Sequence, residues 1–245
     1  MPRLRLALPA LVLVVAAEGA LAVPTDIRSY VCQRLDDFTA TLVVVRADQR
    51  QLSLISRDAG FLYRFRSVTM RYKEPNKVRI DINEQGTRGT YIVNGPIQLV
   101  SVPKLGLRTR RDFSDSPGKR KSLMDVGLVS EHFLTYANAR FVRRGTVDGT
   151  PVGVFELTYK DRDADTSHHI IYIDPVRRVV LKRENYTQEG KLQAIYHFRN
   201  PREVSPGIWF PTRIEAQNVN GVIAGITEYR NIRVNTGLSD SLFTL

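Results

Sequence analysis

Apolar and polar residues alternate along most of this chain. Val78, Ile80 and Ile82 are interleaved with Arg79 and Asp81, and Phe155, Leu157 and Tyr159 with Val154, Glu156 and Thr158. Residues 38–46 read Phe-Thr-Ala-Thr-Leu-Val-Val-Val-Arg, a run rich in β-branched side chains. Period-two patterning of this kind predicts strands, half-buried where one face is polar. By the same pattern strands are expected over 51–57, 61–72, 77–83, 88–93 and 97–102, and again over 140–147, 153–160, 168–173, 178–187, 191–199, 208–216 and 222–234. Between them stand turn residues such as Glu74-Pro75-Asn76, Gln85-Gly86, Asn94-Gly95, Asp148-Gly149, Asn200-Pro201 and Ser205-Pro206-Gly207. The regular spacing predicts one large antiparallel sheet built from hairpins rather than two domains.

Two stretches carry a helical period. Thr25 or Asp26 can cap a short helix in which Ile27, Val31 and Leu35 share a face. Ser122-Leu123-Met124-Asp125 resembles a capping box, predicting a helix over 122–136 that includes Leu123, Val126, Leu128, Phe133 and Leu134. This helix either covers one end of a curved sheet or packs on its edge. Residues 104–121 between the two strand runs are expected to form a basic loop. No βαβ alternation and no glycine-rich phosphate loop occur, which argues against a doubly wound nucleotide-binding fold.

The chain begins with Arg3 and Arg5, then the apolar run 6–17, then Ala20-Leu21-Ala22. That order predicts a secretory signal peptide over 1–22, leaving a single β-domain over 23–245. Export changes the meaning of the charge, which is +11 with 36 Lys and Arg against 25 Asp and Glu. Loss of Arg3, Arg5 and Glu18 with the signal lowers it by one. The basicity therefore belongs to the mature domain, and export argues against nucleic acid as the partner. An anionic membrane surface or a merely solubilising polar face remains. Arg108, Arg110, Arg111, Lys119, Arg120 and Lys121 are the candidate docking residues.

Recognisable catalytic chemistry is sparse. His168 and His169 are adjacent in a strand and point to opposite faces, so they do not chelate one metal; no metal site or cofactor is expected. Ser116-Pro117-Gly118-Lys119 has a serine–lysine spacing without its companion motifs, and Asp161, Asp163 and Asp165 read as a solvated turn. The lone Cys32 forms no intramolecular disulfide and reads as a buried thiol. Asn185-Tyr186-Thr187 is a glycosylation sequon, relevant only in a eukaryotic secretory route.

The stretch 70–80, Met-Arg-Tyr-Lys-Glu-Pro-Asn-Lys-Val-Arg-Ile, followed by Tyr91-Ile92-Val93-Asn94-Gly95, resembles the outer-membrane lipoprotein-sorting proteins, the LolA-like superfamily. The later runs Val179-Val180-Leu181-Lys182-Arg183, Trp209-Phe210-Pro211-Thr212-Arg213-Ile214 and Tyr229-Arg230-Asn231-Ile232 resemble the same superfamily, and the spacing of Cys32 and 104–136 is similar to that of a related bacterial family of unknown function. The resemblance implies a mainly β (α+β) fold, an open, incomplete antiparallel β-barrel with short helices covering the concave face. It also implies a periplasmic, non-catalytic carrier of a lipid, lipoprotein acyl chain or other amphiphile, or an envelope sensor of the same fold that regulates a protein partner. Arg79 occupies the position of the superfamily's lid-contacting arginine; an ordinary solvated arginine is the other reading of that residue.

Overall fold

The computed structural model describes residues 22–56, 60–84 and 86–245. Apart from Ala22, the expected signal peptide lies outside them, as do Arg57 and Gln85 from the expected second strand and one expected turn. No helix among the described residues is long and apolar enough to cross a membrane.

Among the described residues, thirteen strands form one antiparallel sheet. The first six are β1 (Asp37–Ala47), β2 (Ser67–Lys73), β3 (Lys77–Glu84), β4 (Thr87–Asn94), β5 (Ile97–Val102) and β6 (Leu107–Asp112). After a crossing segment come β7 (Ala137–Val147), β8 (Thr150–Tyr159), β9 (His168–Ile173), β10 (Val180–Tyr186), β11 (Leu192–Ser205), β12 (Ile208–Asn218) and β13 (Ile223–Val234). Their order in the sheet is β6-β5-β4-β3-β2-β1-β13-β12-β11-β10-β9-β8-β7. Each half of the chain is thus a plain meander, and the halves join where β1 pairs with β13, as in Leu42 opposite Tyr229. The two free edges, β6 and β7, are consecutive in the chain, and only residues 113–136 connect them. The sheet is the expected open, incomplete barrel.

The alternation sorts the faces. Val78, Ile80 and Ile82 of β3 and Phe155, Leu157 and Tyr159 of β8 are buried in a single apolar core. The opposite face carries a ladder of charge pairs: Lys182 with Glu184 at 2.6 Å, Arg213 with Glu215 at 2.8 Å and Arg230 with Glu228 at 2.7 Å. Residues with a common partner across neighbouring strands share a face, so the concave side is the one bearing Val78 and Val93 and the convex side the one bearing Arg79 and Ile92.

Several expectations need correction, among them the strand expected over 61–72, which begins only at Ser67 after a 3-10 turn over Leu62–Arg64. Residues 51–57 are not a strand: Gln49–Ile55 form helix α1, whose N-cap Asp48 accepts a hydrogen bond from Gln51 N at 3.0 Å. The alternation of Leu52 and Leu54 suggested a strand, but Leu52 and Ile55, three apart, are the buried pair, seated on the small residues Ala194, Ala216 and Ala224. Leu54 faces outward. Residues 104–121 are not all loop, because 107–112 pair with β5 as the edge strand β6. Asn200-Pro201 does not end a strand either; β11 runs through it, Asn200 taking a positive φ of 52° while Pro201 lies opposite Pro211.

A further correction concerns 122–136. The capping box forms, with Ser122 accepting from Met124 N and Asp125 from Ser122 N, but it opens only a 3-10 turn over Leu123–Val126. Gly127 ends that turn at φ 81°, and Leu128 N returns to the Leu123 carbonyl at 3.0 Å. A side chain is excluded there twice over, since a Cβ would lie 2.6 Å from the Phe198 ring and a positive φ disfavours any other residue. A second, separate helix, α2, spans Glu131–Tyr136 and is capped by Ser130. The helix expected near residue 27 is likewise only a 3-10 turn, Ile27–Tyr30.

Candidate functional site

Three pieces of chain lie over the concave face. Tyr30, in the N-terminal segment, meets Phe155 edge-on at 5.2 Å. Helix α1 and Tyr63, whose ring crowds against Gly225, cover the end formed by β11–β13. Residues 113–136 cross the rest, linking the two sheet edges. Within this crossing segment Leu123, Met124, Val126, Leu128 and Val129 are each at most 2% exposed. The apolar side of the barrel is therefore filled by the chain itself.

A small set of polar contacts holds the crossing segment down. At its start Gly118 N donates to Asp165 Oδ2 at 2.9 Å, and Gln98 Nε2 to the Lys119 carbonyl at 3.0 Å. Asp165 is buried, which corrects the expectation of a wholly solvated Asp161–Asp165 turn. Val180 N donates to the Gly127 carbonyl at 2.9 Å, and Cys32 N to that of Val129 at 2.8 Å. Arg183 Nη1 donates to the Met124 carbonyl at 2.9 Å.

Arg183 is the anomaly of this face. It lies opposite Ile171 and Tyr196 in the register and is 5% exposed. Its guanidinium sits over the rings of Tyr196 at 4.8 Å and Phe198 at 5.9 Å. Asp125, in the crossing segment, approaches its Nη2 to 3.6 Å. Burial opposes ionisation of Asp125, but Lys121, Arg183 and the Ser122 N–H outweigh it and hold the carboxyl below its ordinary range. Nearby, His169 Nδ1 faces Asn185 Oδ1 at 3.0 Å and its Nε2 faces the Tyr159 hydroxyl at 3.0 Å. Burial first, and the Arg183 charge second, push the His169 imidazole down to about 3. It is neutral at physiological pH, with Nδ1–H donating to Asn185 and Nε2 accepting from Tyr159. Asn185 thus points inward, which does not suit a glycosylation acceptor.

Sequence reasoning missed this cluster, because a register shift between Val180 and Lys182 breaks the alternation: Arg183, opposite Ile171, shares its face with Val180, opposite Ile173, and stands at an apolar position only once the pairing is known. Arg79 lies elsewhere. On the convex face its Nε donates to Asp81 at 2.9 Å and its Nη1 to the Leu242 carbonyl at 3.1 Å, fastening the C-terminal turn Asp240–Phe243.

The basic residues divide into two groups. Arg108, Arg110 and Arg111 are exposed on the edge strand β6. Arg120 is half-buried, bonded to the carbonyls of Phe113 and Ser114 and lying over the Tyr136 ring, so it shapes the crossing segment. Lys119 is exposed near the Phe113 ring, and Lys121 is half-buried beside Asp125. The other edge strand, β7, adds the exposed Arg140, Arg143 and Arg144. Charged edges discourage strand addition by another chain. They also give the gap between β6 and β7 a positive rim.

Cys32 is half-buried, and burial pushes its thiol up to about 11, which suppresses the thiolate.

Residues 117–245, just over half of the chain, match the model of a family described as uncharacterized protein. Among solved structures, a LolA superfamily protein from Nitrosomonas europaea is similar with a TM-score of 0.60 and 16% identity, covering 90% of this chain and 96% of that one. A DUF1329 family protein from Desulfovibrio piger gives 0.59 and 15%, covering 89% and 93%. A putative outer membrane lipoprotein-sorting protein domain from Vibrio parahaemolyticus gives 0.58 and 15%, with the same coverage of 89% and 93%. At these identities the likeness is one of fold. No curated protein matches the chain by sequence.

Proposed function

The chain belongs to a family described as uncharacterized protein and shares its fold with a LolA superfamily protein, and from that premise we propose that it is a non-catalytic carrier in the bacterial envelope. Its cargo is a lipid, a lipoprotein acyl chain or another amphiphile. The observation that carries this reading is the apolar face of an unclosed barrel covered by a short segment that belongs to neither half of the sheet. Displacing Leu123, Met124, Val126, Leu128 and Val129 uncovers a surface suited to an acyl chain. Each methylene buried there contributes roughly 0.8 kcal/mol, so a chain of ordinary length offsets the loss of the segment's own contacts. The fold of the lipoprotein-sorting domain supports the same reading, as does an N-terminal pattern suited to export.

Expression with the native N-terminus, extraction of the envelope fraction and native mass spectrometry of the gently purified protein test this proposal. A co-purified mass that disappears on delipidation and returns on titration with lipid is expected. A protein that carries nothing and ignores every lipid offered rules the carrier out.

We assign docking at anionic membrane surfaces to Arg108, Arg110, Arg111 and Lys119, which are exposed, while Arg120 and Lys121 act mainly within the crossing segment. Removing two basic contacts, each contributing about 1 kcal/mol near such a surface, weakens docking by roughly tenfold or more. Arg108→Glu/Arg110→Glu should therefore sediment poorly with phosphatidylglycerol vesicles at low salt, whereas the unaltered protein sediments with them and is released as salt rises. Equal sedimentation of the two proteins removes these residues from the docking surface.

A further inference from the structure

Arg183 is a cation in a place that gives it almost nothing to bind. A buried guanidinium is costly unless a well-placed anion and hydrogen bonds compensate it, and it carries five N–H donors in a fork that matches a carboxylate or phosphate edge. Here its Nη1 has one carbonyl, that of Met124 at 2.9 Å. Its Nη2 has one carboxylate oxygen at 3.6 Å, well beyond a good charge-assisted bond. Its Nε is buried and has no hydrogen-bond partner among the described residues. The neighbouring imidazole of His169 is neutral and supplies no negative charge.

Both oxygens that Arg183 does reach, from Met124 and Asp125, belong to the crossing segment and not to the sheet. That segment combines one carboxylate with a compact apolar body. The Asp125 side chain is 34% exposed, whereas Leu123, Met124, Val126, Leu128 and Val129 are sealed below it at 2% or less. An anionic head at the solvent edge and an apolar tail inside the barrel together describe an amphiphile.

We propose that residues 122–129 stand in for an anionic amphiphile, and that Arg183 is the residue that recognises the cargo's carboxylate or phosphate once Asp125 withdraws. This rests on the carrier reading above and specifies the cargo's chemistry. A ligand head free of the segment's backbone can meet the guanidinium with two oxygens and engage Nε as well, which Asp125 does not. The tail takes the space vacated by the five apolar side chains.

The test compares ligands that share a tail and differ in the head. Delipidated protein is titrated, below micelle-forming concentrations, with laurate against dodecanol and with lysophosphatidylglycerol against a monoacylglycerol of the same chain length, and with inorganic phosphate alone. A charge-assisted hydrogen bond contributes about 1.5–3 kcal/mol, so each anionic ligand should bind roughly tenfold to a hundredfold more tightly than its neutral counterpart. Asp125→Asn, at a part-exposed position, should widen that ratio by removing the internal competitor, and Arg183→Gln should collapse it. Equal binding of charged and neutral ligands by the unaltered protein, or a ratio unmoved in Asp125→Asn, overturns the inference while leaving the carrier reading standing. Binding of inorganic phosphate as tight as that of lysophosphatidylglycerol also overturns it, since the tail then contributes nothing. Failure of every amphiphile to bind removes both proposals.

Discussion

Lowering the pH from 7 to 4 should cost this protein up to about 3 kcal/mol of stability through His169 alone. The imidazole has an ordinary pKa of 6.5 in the unfolded chain and one pushed down to about 3 in the fold, by burial first and by Arg183 second. Between those values the unfolded state binds the extra proton, so stability is fully present above pH 6.5 and falls by about 1.4 kcal/mol per unit as the pH drops towards 3. The two and a half units from 6.5 down to 4 give about 3.4 kcal/mol, which the partial exposure of the residue trims. The groups facing the ring are the Tyr159 hydroxyl, Asn185 Oδ1, the Arg183 guanidinium, the Asp125 carboxylate and the adjacent His168. Only Asp125 favours the imidazolium by charge, and it is already committed to Lys121 and Arg183. Urea unfolding at pH 7, 5.5 and 4 measures the effect, with His169→Gln as the reference that has no proton to take up. The stability difference between the two proteins should shrink or reverse in favour of glutamine as the pH falls. A difference that stays constant across the three pH values contradicts the assignment.

Asp37→Ala should destabilise the fold by about 2–3 kcal/mol. The Asp37 carboxylate, 2% exposed at the start of β1, accepts from Thr236 N at 2.8 Å, Thr236 Oγ1 at 3.0 Å, Gly237 N at 2.8 Å and Leu238 N at 3.0 Å. It therefore ties the C-terminal tail to the strand beside which that tail begins. Hydrogen bonds to a charged group contribute more than neutral ones, roughly 1.5–3 kcal/mol each. The sum is cut because the exposed tail donors can turn to water in the variant. Burial raises the Asp37 pKa, but the three backbone N–H groups and the threonine hydroxyl outweigh it, leaving it below its ordinary value. This stability is present above the unfolded carboxyl range and is lost only as the pH falls through the lower folded value, a more acidic window than that of His169. Thermal unfolding at pH 7 checks the effect, and proteolysis should show the tail beyond 235 cleaved first in the variant. An unchanged midpoint with a protected tail refutes it.

The strand series illustrates what local pattern can carry. The alternations in β3 and β8 are legible because a half-buried strand needs an apolar residue at every second position whatever lies across from it. Local pattern misled where two periods coincide. Leu52 and Leu54 fit a strand, and Leu52 and Ile55 fit a helix; the Asp48 cap and the alanines of β11, β12 and β13 decided between them. In 122–136 the capping box was readable, but the break at Gly127 depends on Phe198, more than seventy residues away in the chain.

The candidate site was less legible still. Arg79 drew attention through its motif, and its partner proved to be the C-terminal turn. Arg183 drew none, because a lone arginine in a strand is ordinary until the other face of that strand is known to be the wet one.

By itself the sequence determined that this is a basic, strand-rich chain folding as one antiparallel meander, because alternation and turn chemistry act within a few residues. Only the tertiary structure decided that β6 and β7 remain unpaired, that 113–136 fills the gap between them, and that Asp125 meets Arg183. Those outcomes depend on contacts between distant parts of the chain, where burial and charge compensation are settled jointly by several strands.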